Sequence, residues 1–377
     1  MTDASERAAW ISLSLLPGIG PALFSRLVGT HGSARAAWRA GTAALAGLPG
    51  LLDQPASMAH MARLHAVGAA AAADGVEQAT RAADGRVVTA LDAEYPQALI
   101  GLHPRPAVLY VRGSLAALDE VCAAVVGTRR PSGYGRVAAA EIGEELGRAG
   151  VTVVSGLAVG IDGIAQRAAI DAGGRSVAVL PSPLERVYPP GHRSLAGRLV
   201  ETGGALLTEV PPGHPVGRPD FARRNRIIAG LSAATVVVEA PDRSGALLTA
   251  MAAVGYGRDL YAVPGPMDAA NSRGTNRLIA DHLAALLTSP GALLLQLGTR
   301  PATRAAFVRG LSEVESAVLA RLLRRARSVE ELAASAGLPT ASVAGALTLL
   351  EARGLITAYG GATFHATPDA RRLRLPG

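Results

Sequence analysis

The sequence predicts an α/β protein. An extended, Rossmann-like, mainly parallel sheet is flanked by an N-terminal helical domain of the helix-hairpin-helix (SAM-like) type and a C-terminal winged-helix domain. Between Arg86 and Leu297, short β-branched runs alternate with helical segments, which is typical of a doubly wound sheet. Glycine hairpins interrupt the helices before this region, and three helices with a Gly-Gly turn follow it. We therefore assign domains to residues 1–84, 85–298 and 311–377, with a linker at 299–310.

The N-terminal region reads as short helices separated by two glycine hairpins, LPGIGP at Leu16 to Pro21 and LAGLPGL at Leu45 to Leu51. Backbone N–H groups in such hairpins can point at a phosphate, as those of helix N-termini do. The same hairpins can also serve only as tight turns in a small helical domain. Both interpretations stay open at this stage. An Ala-rich helix from Pro55 to Ala83 is expected to lead into the sheet.

Eight apolar runs in the central region have the length and composition of buried strands. They are Val87 to Leu91, Ala107 to Val111, Val121 to Val126, Val151 to Ser155, Ser176 to Leu180, Ala205 to Thr208, Thr235 to Glu239 and Leu260 to Val263. Helical segments fit between most of them, at Gly135 to Ala149, Ile161 to Ala172, Leu195 to Glu201 and Ala246 to Tyr256.

The C-terminal region predicts helices at Glu313 to Leu323, Val329 to Ala336 and Thr340 to Arg353, followed by a Gly-Gly hairpin. Ser328 before Glu331 is a capping-box signal. From Arg300 onward the chain has eleven Arg against six acidic residues, a net charge of +5. This charge is compatible with DNA contact. However, small winged helices often serve as protein-interaction modules, and the presumed recognition helix carries only one cation, Arg353, which argues against direct base reading.

Composition limits the classes of protein to consider. The 377 residues carry a formal charge of +7, and every basic residue is Arg, which is typical of coding bias, so only clustering of Arg is informative. The single cysteine, Cys122, excludes an intrachain disulfide and a Cys-based zinc site. The chain begins without a signal-peptide pattern, and no apolar run reaches the roughly 20 residues that span a bilayer. We expect a cytoplasmic protein with no metal and no membrane association.

The loop GTRRPSGYG, Gly127 to Gly135, lies between a predicted strand and a predicted helix. Ligands of doubly wound sheets bind outside the carboxyl ends of the strands, where glycine turns and helix N-termini offer donors to anions. The predicted phosphate contacts are Gly127, Thr128, Arg129, Ser132 and Gly135. The loop is not a GxGxxG dinucleotide motif, and the chain has no Lys to complete a GxxxxGK[ST] loop, so no nucleotide cofactor is expected.

Three more loops are predicted at the same edge of the sheet. SGLAVGID contributes Ser155 and Gly156, and its Asp162 reads either as a catalytic or ribose-binding acid or as a helix N-cap. PDRSGALLTA adds cations and hydrogen-bond donors at the start of a predicted helix. VPGPMDAANSRGTNRLI adds further cations and donors near the same side. The residues of these last two loops are Arg243, Ser244, Gly245, Arg273 and Asn276.

The segment FARRNRIIAGLS, Phe221 to Ser232, combines an aromatic ring with a cluster of cations. Rings stack on bases and guanidinium groups bind phosphates, so the segment suits single-stranded nucleic acid. The alternative is an ordinary helix with a core aromatic and solvated arginines. Neighbouring arginines on a helix point about 100° apart, so not all of them can face DNA. The candidate contacts are Arg218, Phe221, Arg223, Arg224, Asn225 and Arg226.

Six segments in order resemble the bacterial DNA-processing protein A (DprA/Smf) family of natural transformation. They are GTRRPSGYG, SGLAVGID, YPPGHRSL, TEVPPGHPVGRPDFARRNRIIAGLS, VVEAPDRSGALLTA and AVPGPMDAANSRGTNRLI. The resemblance implies a non-enzymatic protein that binds and protects single-stranded DNA, loads the RecA recombinase onto it, and forms homodimers through the Rossmann-like domain. It also implies that the DNA contacts are Gly127, Thr128, Arg129, Arg218, Phe221, Arg224 and Asn225.

Two departures from the family pattern are visible, Gln166 in place of a common His and LPSPLERVYPP in place of a glycine-rich turn. Two other functions would each require a further feature. A phosphoribohydrolase-like Rossmann enzyme would need a pair of catalytic acids, for which Asp162, Glu209 and Glu239 are available, but the PGGxGT context of that group is missing. A transcription regulator led by the winged helix would prefer a specific duplex sequence.

Overall fold

The computed structural model describes residues 4–46, 48–51, 54–299, 311–323, 327–359, 363–367 and 370. The chain divides into two compact units, Met1–Pro301 and Ala302–Gly377. The predicted linker falls mostly outside the described residues, as does the Gly-Gly turn at 360–361.

The first unit contains thirteen α-helices and nine strands within its described part. The helices are α1 (Ala4–Ser14), α2 (Pro21–His31), α3 (Ala34–Ala40), α4 (Gln54–Val67), α5 (Ala69–Arg81), α6 (Gln97–Ile100), α7 (Gly133–Arg148), α8 (Ile161–Asp171), α9 (Arg193–Glu201), α10 (Arg218–Leu231), α11 (Gly245–Gly255), α12 (Arg273–Ala280) and α13 (Pro290–Gln296). The strands are β1 (Arg86–Thr89), β2 (Val108–Gly113), β3 (Cys122–Val126), β4 (Thr152–Ser155), β5 (Ser176–Val179), β6 (Ala205–Thr208), β7 (Ala234–Val237), β8 (Asp259–Ala262) and β9 (Ala285–Leu286).

The sheet has the order β1-β2-β6-β5-β4-β3-β7-β8-β9. β2 pairs antiparallel with β1 and β6, and all other neighbours are parallel. This confirms the predicted mainly parallel α/β fold. Because β3 to β8 run in the same direction, their carboxyl ends meet at one edge, which is where ligands of such sheets bind.

Both faces of the sheet are covered. The N-terminal helices share one hydrophobic cluster with α8, α9 and strand residues such as Val108 and Leu206. The opposite face packs against α6, α10, α11 and α12 through residues that include Ile227 and Ile228. The Trp10 indole N–H also donates to the Ala107 carbonyl at 2.8 Å. The helical region therefore packs directly on the sheet within one compact unit.

Two details of the first unit differ from the sequence prediction. The Ala-rich segment forms two helices, α4 and α5, because Gly68 between them adopts φ +90°, which ends a right-handed helix. The ninth strand, Ala285–Leu286, was not predicted. It has only two residues, both exposed, so it carries no hydrophobic alternation.

Helices α7 and α8 cross at very close range because α7 presents Gly143 and Gly147 to the α8 backbone. A Cβ built on Gly143 would lie 2.3 Å from the Ala165 carbonyl oxygen. We expect Gly143→Ala to lower the free energy of unfolding by about 1 kcal/mol or more, since overpacking outweighs the gain in helix propensity. Urea denaturation measures this. Gly197→Ala in α9 is the control: apart from its chain neighbours and the backbone of its own helix, the heavy atom nearest to its new Cβ is Glu201 Oε1 at 3.9 Å, so the same exchange should stabilise by up to about 1 kcal/mol.

The second unit has the predicted winged-helix elements. They are α14 (Glu313–Leu322), β10 (Arg327–Ser328), α15 (Val329–Ala336), α16 (Thr340–Ala352), β11 (Ile356–Tyr359) and β12 (Thr363–Ala366), with strand order β10-β12-β11. The predicted capping box is formed, since the Ser328 hydroxyl accepts the Glu331 N–H at 3.3 Å and Glu331 accepts the Ser328 N–H at 3.0 Å. Arg353, the cation at the end of α16, lies 3.6 Å from the buried carboxylate of Glu315.

Within the described part of the chain, no helix by itself combines the length and apolar character needed to cross a membrane. The pair α15 and α16, which is bent by 115° at the break between the two helices, reaches that length and apolar composition only when both helices are taken together.

Candidate nucleic-acid interface

The loops that follow β3, β4 and β7 lie against one another at the carboxyl edge of the sheet. The Thr128 N–H donates to the Glu239 carbonyl at 2.7 Å, and the Thr128 carbonyl accepts the Ile161 N–H at 3.2 Å. A Cβ on Gly127 would lie 2.6 Å from Ile161, so this glycine is required for the close approach. Thr128 is buried, and its backbone is already hydrogen-bonded within the protein. Of the first three predicted contacts in this loop, only Arg129 extends outward.

An aromatic cleft lies beside Arg129, with about 310 Å³ of empty space that includes open solvent. The Phe221 and Tyr188 rings meet edge to face, 5.5 Å apart at 83°. The Arg129 guanidinium carbon lies 5.4 Å from the centroid of the Phe221 ring, which is cation–π range. The other lining residues include Val159, Pro181 and Pro189. Cations and aromatic rings around an apolar cleft are the components with which proteins bind single strands.

Phe221 is only half-buried at this cleft, while Ile227 and Ile228 on the same helix are fully in the core. Tyr188, which is 41% exposed, was not among the predicted site residues. The YPP motif in the loop after β5 could have identified it, because a loop that follows a parallel strand lies at the edge of the sheet where ligands bind.

The arginines of α10 are divided between surface and interior. Arg218 and Arg223 are exposed, whereas Arg224 is only 7% exposed. Arg224 donates to the Gly156 carbonyl at 2.8 Å, to the Val179 carbonyl and to the Asn225 amide oxygen at 3.1 Å. Burial lowers the pKa of Arg224 to about 10, against the opposing effect of the Asp162 carboxylate. Arg224 thus ties α10 to the ends of β4 and β5.

This geometry places two of the predicted DNA contacts largely in the interior, and their contact with DNA stays a prediction. Arg224 and Asn225 have little surface to offer DNA, since Asn225 is 9% exposed and its amide donates to the Gly245 carbonyl at 3.0 Å. Asp162, predicted as an acid or a cap, is buried, and its carboxylate accepts the Gly156 N–H at 3.1 Å. Burial raises the pKa of Asp162, while the nearby Arg224 opposes that rise.

Arg226, which the sequence predicts as a DNA contact, also turns inward. It forms an ion pair with Glu209 and donates to the Pro104 carbonyl at 3.0 Å. Both side chains of the pair are 13% exposed. Burial raises the pKa of the Glu209 carboxyl, while Arg226 opposes that rise.

A protein carboxylate occupies the predicted phosphate position at the start of α7. Glu239 accepts the Ser132 N–H at 2.9 Å and the Ser132 hydroxyl, and Asn271 donates to it at 3.3 Å. A Cβ on Gly135 would lie 2.3 Å from the same carboxylate. In this structure Ser132 caps α7 and Gly135 packs closely against Glu239, and their contact with phosphate stays a prediction.

Three further predicted residues also have internal roles. Ser155 is fully buried and its hydroxyl donates to the Val125 carbonyl at 2.6 Å. Gly156 makes its backbone contacts with Asp162 and Arg224. The Asn276 amide bonds the N–H and carbonyl of Gly265 at 3.1 and 2.9 Å. These three residues support the loops from within the protein, and their contact with DNA stays a prediction.

At the remaining predicted positions the side chains or loop ends are accessible. Ser244 caps α11 by accepting the Ala246 N–H at 3.3 Å, beside the exposed Gly245. The exposed cations of the predicted set are Arg129, Arg218, Arg223, Arg243 and Arg273. The departure at Gln166 is explained by burial: its amide oxygen accepts the Leu157 N–H at 3.1 Å and its nitrogen donates to Ser176.

Two family models cover most of the chain. The model for DNA recombination-mediator protein A matches residues 86–298, and the model for the DprA winged helix domain matches residues 299–362. The putative DNA processing protein DprA of Mycobacterium tuberculosis strain H37Rv is 41% identical over 312 residues, 77% of this chain and 79% of that protein. Protein Smf of Escherichia coli K12 is 45% identical over 206 residues, 54% of this chain, and the match spans about half (55%) of its length.

Two solved structures are similar. The DNA processing protein A of Streptococcus pneumoniae has a TM-score of 0.65 at 27% identity, covering 78% of this chain and 99% of that one. The Helicobacter pylori protein, whose structure is described as giving insights into its single-stranded DNA binding mode, has a TM-score of 0.51 at 27% identity, covering 57% of this chain and 97% of that one.

Proposed function

Because the chain belongs to the DNA recombination-mediator protein A family, we propose that it binds single-stranded DNA along the carboxyl edge of its parallel sheet. The observation that carries this proposal is the aromatic cleft, where Arg129, Tyr188 and Phe221 lie together. Ring stacking is tolerant of base identity, and guanidinium groups attract the backbone, so the combination suits a strand of any sequence.

The arginines proposed to contact the phosphates, here called the phosphate track, are fewer than the sequence alone predicts. It consists of side chains that are exposed and not buried in the loop network: Arg129, Arg218, Arg223, Arg243 and Arg273. The edge-to-face contact leaves the exposed Tyr188 ring and the rim of Phe221 for the bases. A single strand with unstacked bases fits such a surface better than a duplex does.

We propose a binding role without catalysis. Of the three acids that an enzyme would use, Asp162 and Glu239 are buried and hydrogen-bonded to loop groups, and Glu209 is paired with Arg226. A nucleotide-cleaving enzyme would release free base from nucleoside monophosphates, and chromatography of such a reaction is expected to show none.

The proposed physiological role is protection of incoming single strands and loading of the RecA recombinase in natural transformation, in the cytoplasm and as a homodimer. Support comes from the name of the matched family model, recombination-mediator, and from the DNA-processing relatives. The decisive experiment measures RecA filament formation on strands coated with single-strand binding protein. Addition of this protein is expected to accelerate filament formation; an unchanged rate contradicts the loading role. Preferential binding to a specific duplex would instead favour a transcription regulator.

Arg129→Ala is expected to weaken single-strand affinity and to flatten its salt dependence. One lost phosphate contact lowers the slope of log affinity against log salt by about 0.7 for a single strand. Gel-shift titrations at several salt concentrations measure the slope. Arg167→Ala removes an exposed cation from α8 that does not line the aromatic cleft, and its slope should stay near that of the unmodified protein. Equal slopes for Arg129→Ala and Arg167→Ala would show that Arg129 does not contact a phosphate.

A further inference from the structure

A second cleft, here called the carboxylate cleft, adjoins the aromatic cleft across the buried side chain of Arg224. Arg224 lines both. The carboxylate cleft has about 360 Å³ of empty space, including open solvent, and apolar walls made by Leu180, Val210, Pro211 and Ile227. Apolar walls of this kind suit the faces of a planar ring.

Glu209 is the polar group of interest in this cleft. One of its carboxylate oxygens, Oε2, is paired with Arg226. The other, Oε1, has no hydrogen-bond partner among the residues that the structure describes. The side chain is 13% exposed and lines the cleft, and Oε1 is not among the described buried atoms that lack a partner, so this oxygen is open to the cleft. A ligand that donates to Oε1 forms a charge-assisted hydrogen bond, which is stronger than a neutral one.

The rim of the cleft carries the Arg223 guanidinium, a cation that can meet a phosphate. Arg223 is 52% exposed and only 3.9 Å from Asp220, while His214 lies 3.8 Å from the same carboxylate. Asp220 itself accepts the Gly217 N–H at 2.8 Å and so caps α10. The cleft therefore presents apolar walls, an acceptor inside and a cation outside.

We infer that the carboxylate cleft binds a nucleobase that carries an exocyclic amino group, cytosine, adenine or guanine, from the strand whose neighbouring base occupies the aromatic cleft. An amino group donates to Glu209, whereas the one ring donor of thymine or uracil, N3–H, lies between two carbonyl oxygens that the carboxylate repels. A phosphate is excluded from the interior by the same charge. This inference rests on the proposed function and adds base preference to it.

The test compares affinities of the full chain for equal-length strands of deoxycytidine and deoxyuridine, which differ in the 4-amino and 4-oxo group. One hydrogen bond to a charged acceptor predicts about tenfold tighter binding of the deoxycytidine strand. Glu209→Gln replaces an acceptor with an amide that can donate, so the preference should vanish or reverse. Glu201→Gln changes an exposed carboxylate at the end of α9 and should leave the preference intact.

The two proposals fail in different ways. Equal affinity of the unmodified protein for both strands overturns the base preference while single-strand binding stands. Weak binding of both strands contradicts the proposed function itself. If Glu209→Gln folds poorly because Arg226 loses its partner, the double variant Glu209→Gln/Arg226→Gln removes both charges. A tenfold preference that survives in that variant would also overturn the inference.

Discussion

Replacing Phe221 with Ala is expected to weaken single-strand binding by about 1–3 kcal/mol, the effect of losing one base-stacking ring. The Phe221 ring contacts both other parts of the aromatic cleft, since Tyr188 meets it edge to face and Arg129 lies over it. Its removal should therefore disturb the positions of the second ring and of the cation. Fluorescence anisotropy with a labelled strand at low salt measures the loss.

Two matched variants separate stacking from packing. Phe221→Leu keeps an apolar side chain but has no ring, so it should retain the fold and still bind weakly. Tyr188→Phe keeps the second ring and should bind almost as well as the unmodified protein, whereas Tyr188→Ala should not. If Phe221→Leu binds as tightly as the unmodified protein, the ring only fills space beside the sheet, and the stacking assignment is wrong.

The fold could be predicted from the sequence because each strand of the sheet carries its own signal. Strands such as β3 and β4 are buried along their entire length, so they appear as continuous apolar runs. The direction of those strands places their following loops at one edge without any knowledge of contacts. The two-residue strand β9 could not be predicted, because its pairing depends on β8 rather than on its own composition.

The candidate site could be predicted only in part, because sequence spacing does not show which side chain faces which loop. Periodicity indicates that Arg223 and Arg224 diverge on α10, but not which one is buried. Arg224 is the buried one because Gly156, 68 positions away, has no side chain: a Cβ there would lie 2.3 Å from the Arg224 guanidinium. Glu239 at the start of α7 is a similar long-range partner that no local pattern reveals.

The division within α10 predicts opposite phenotypes for adjacent arginines. Arg223→Ala removes an exposed cation whose nearest acid is 3.9 Å away, so its effect on stability should be small while single-strand affinity falls. Arg224→Ala should instead lower the free energy of unfolding by about 3–5 kcal/mol, because it removes the nearby cation whose charge stabilises the buried carboxylate of Asp162. The carbonyls of Gly156 and Val179 would also lose their donor.

The pH dependence of the Arg224→Ala deficit tests this cause. Burial raises the pKa of Asp162 in the folded protein, so ionised Asp162 favours unfolding, and its protonation at lower pH favours the folded state. Without Arg224 the pKa should rise further, so the deficit is present above that pKa and shrinks as the pH falls through it. Urea denaturation at neutral and mildly acidic pH measures the change. Adding Asp162→Asn to Arg224→Ala should recover part of the loss at neutral pH, because the buried carboxylate charge that Arg224 offsets is then absent. A deficit that is equal at both pH values and is not reduced in the double variant would assign the loss to the carbonyls and to packing instead.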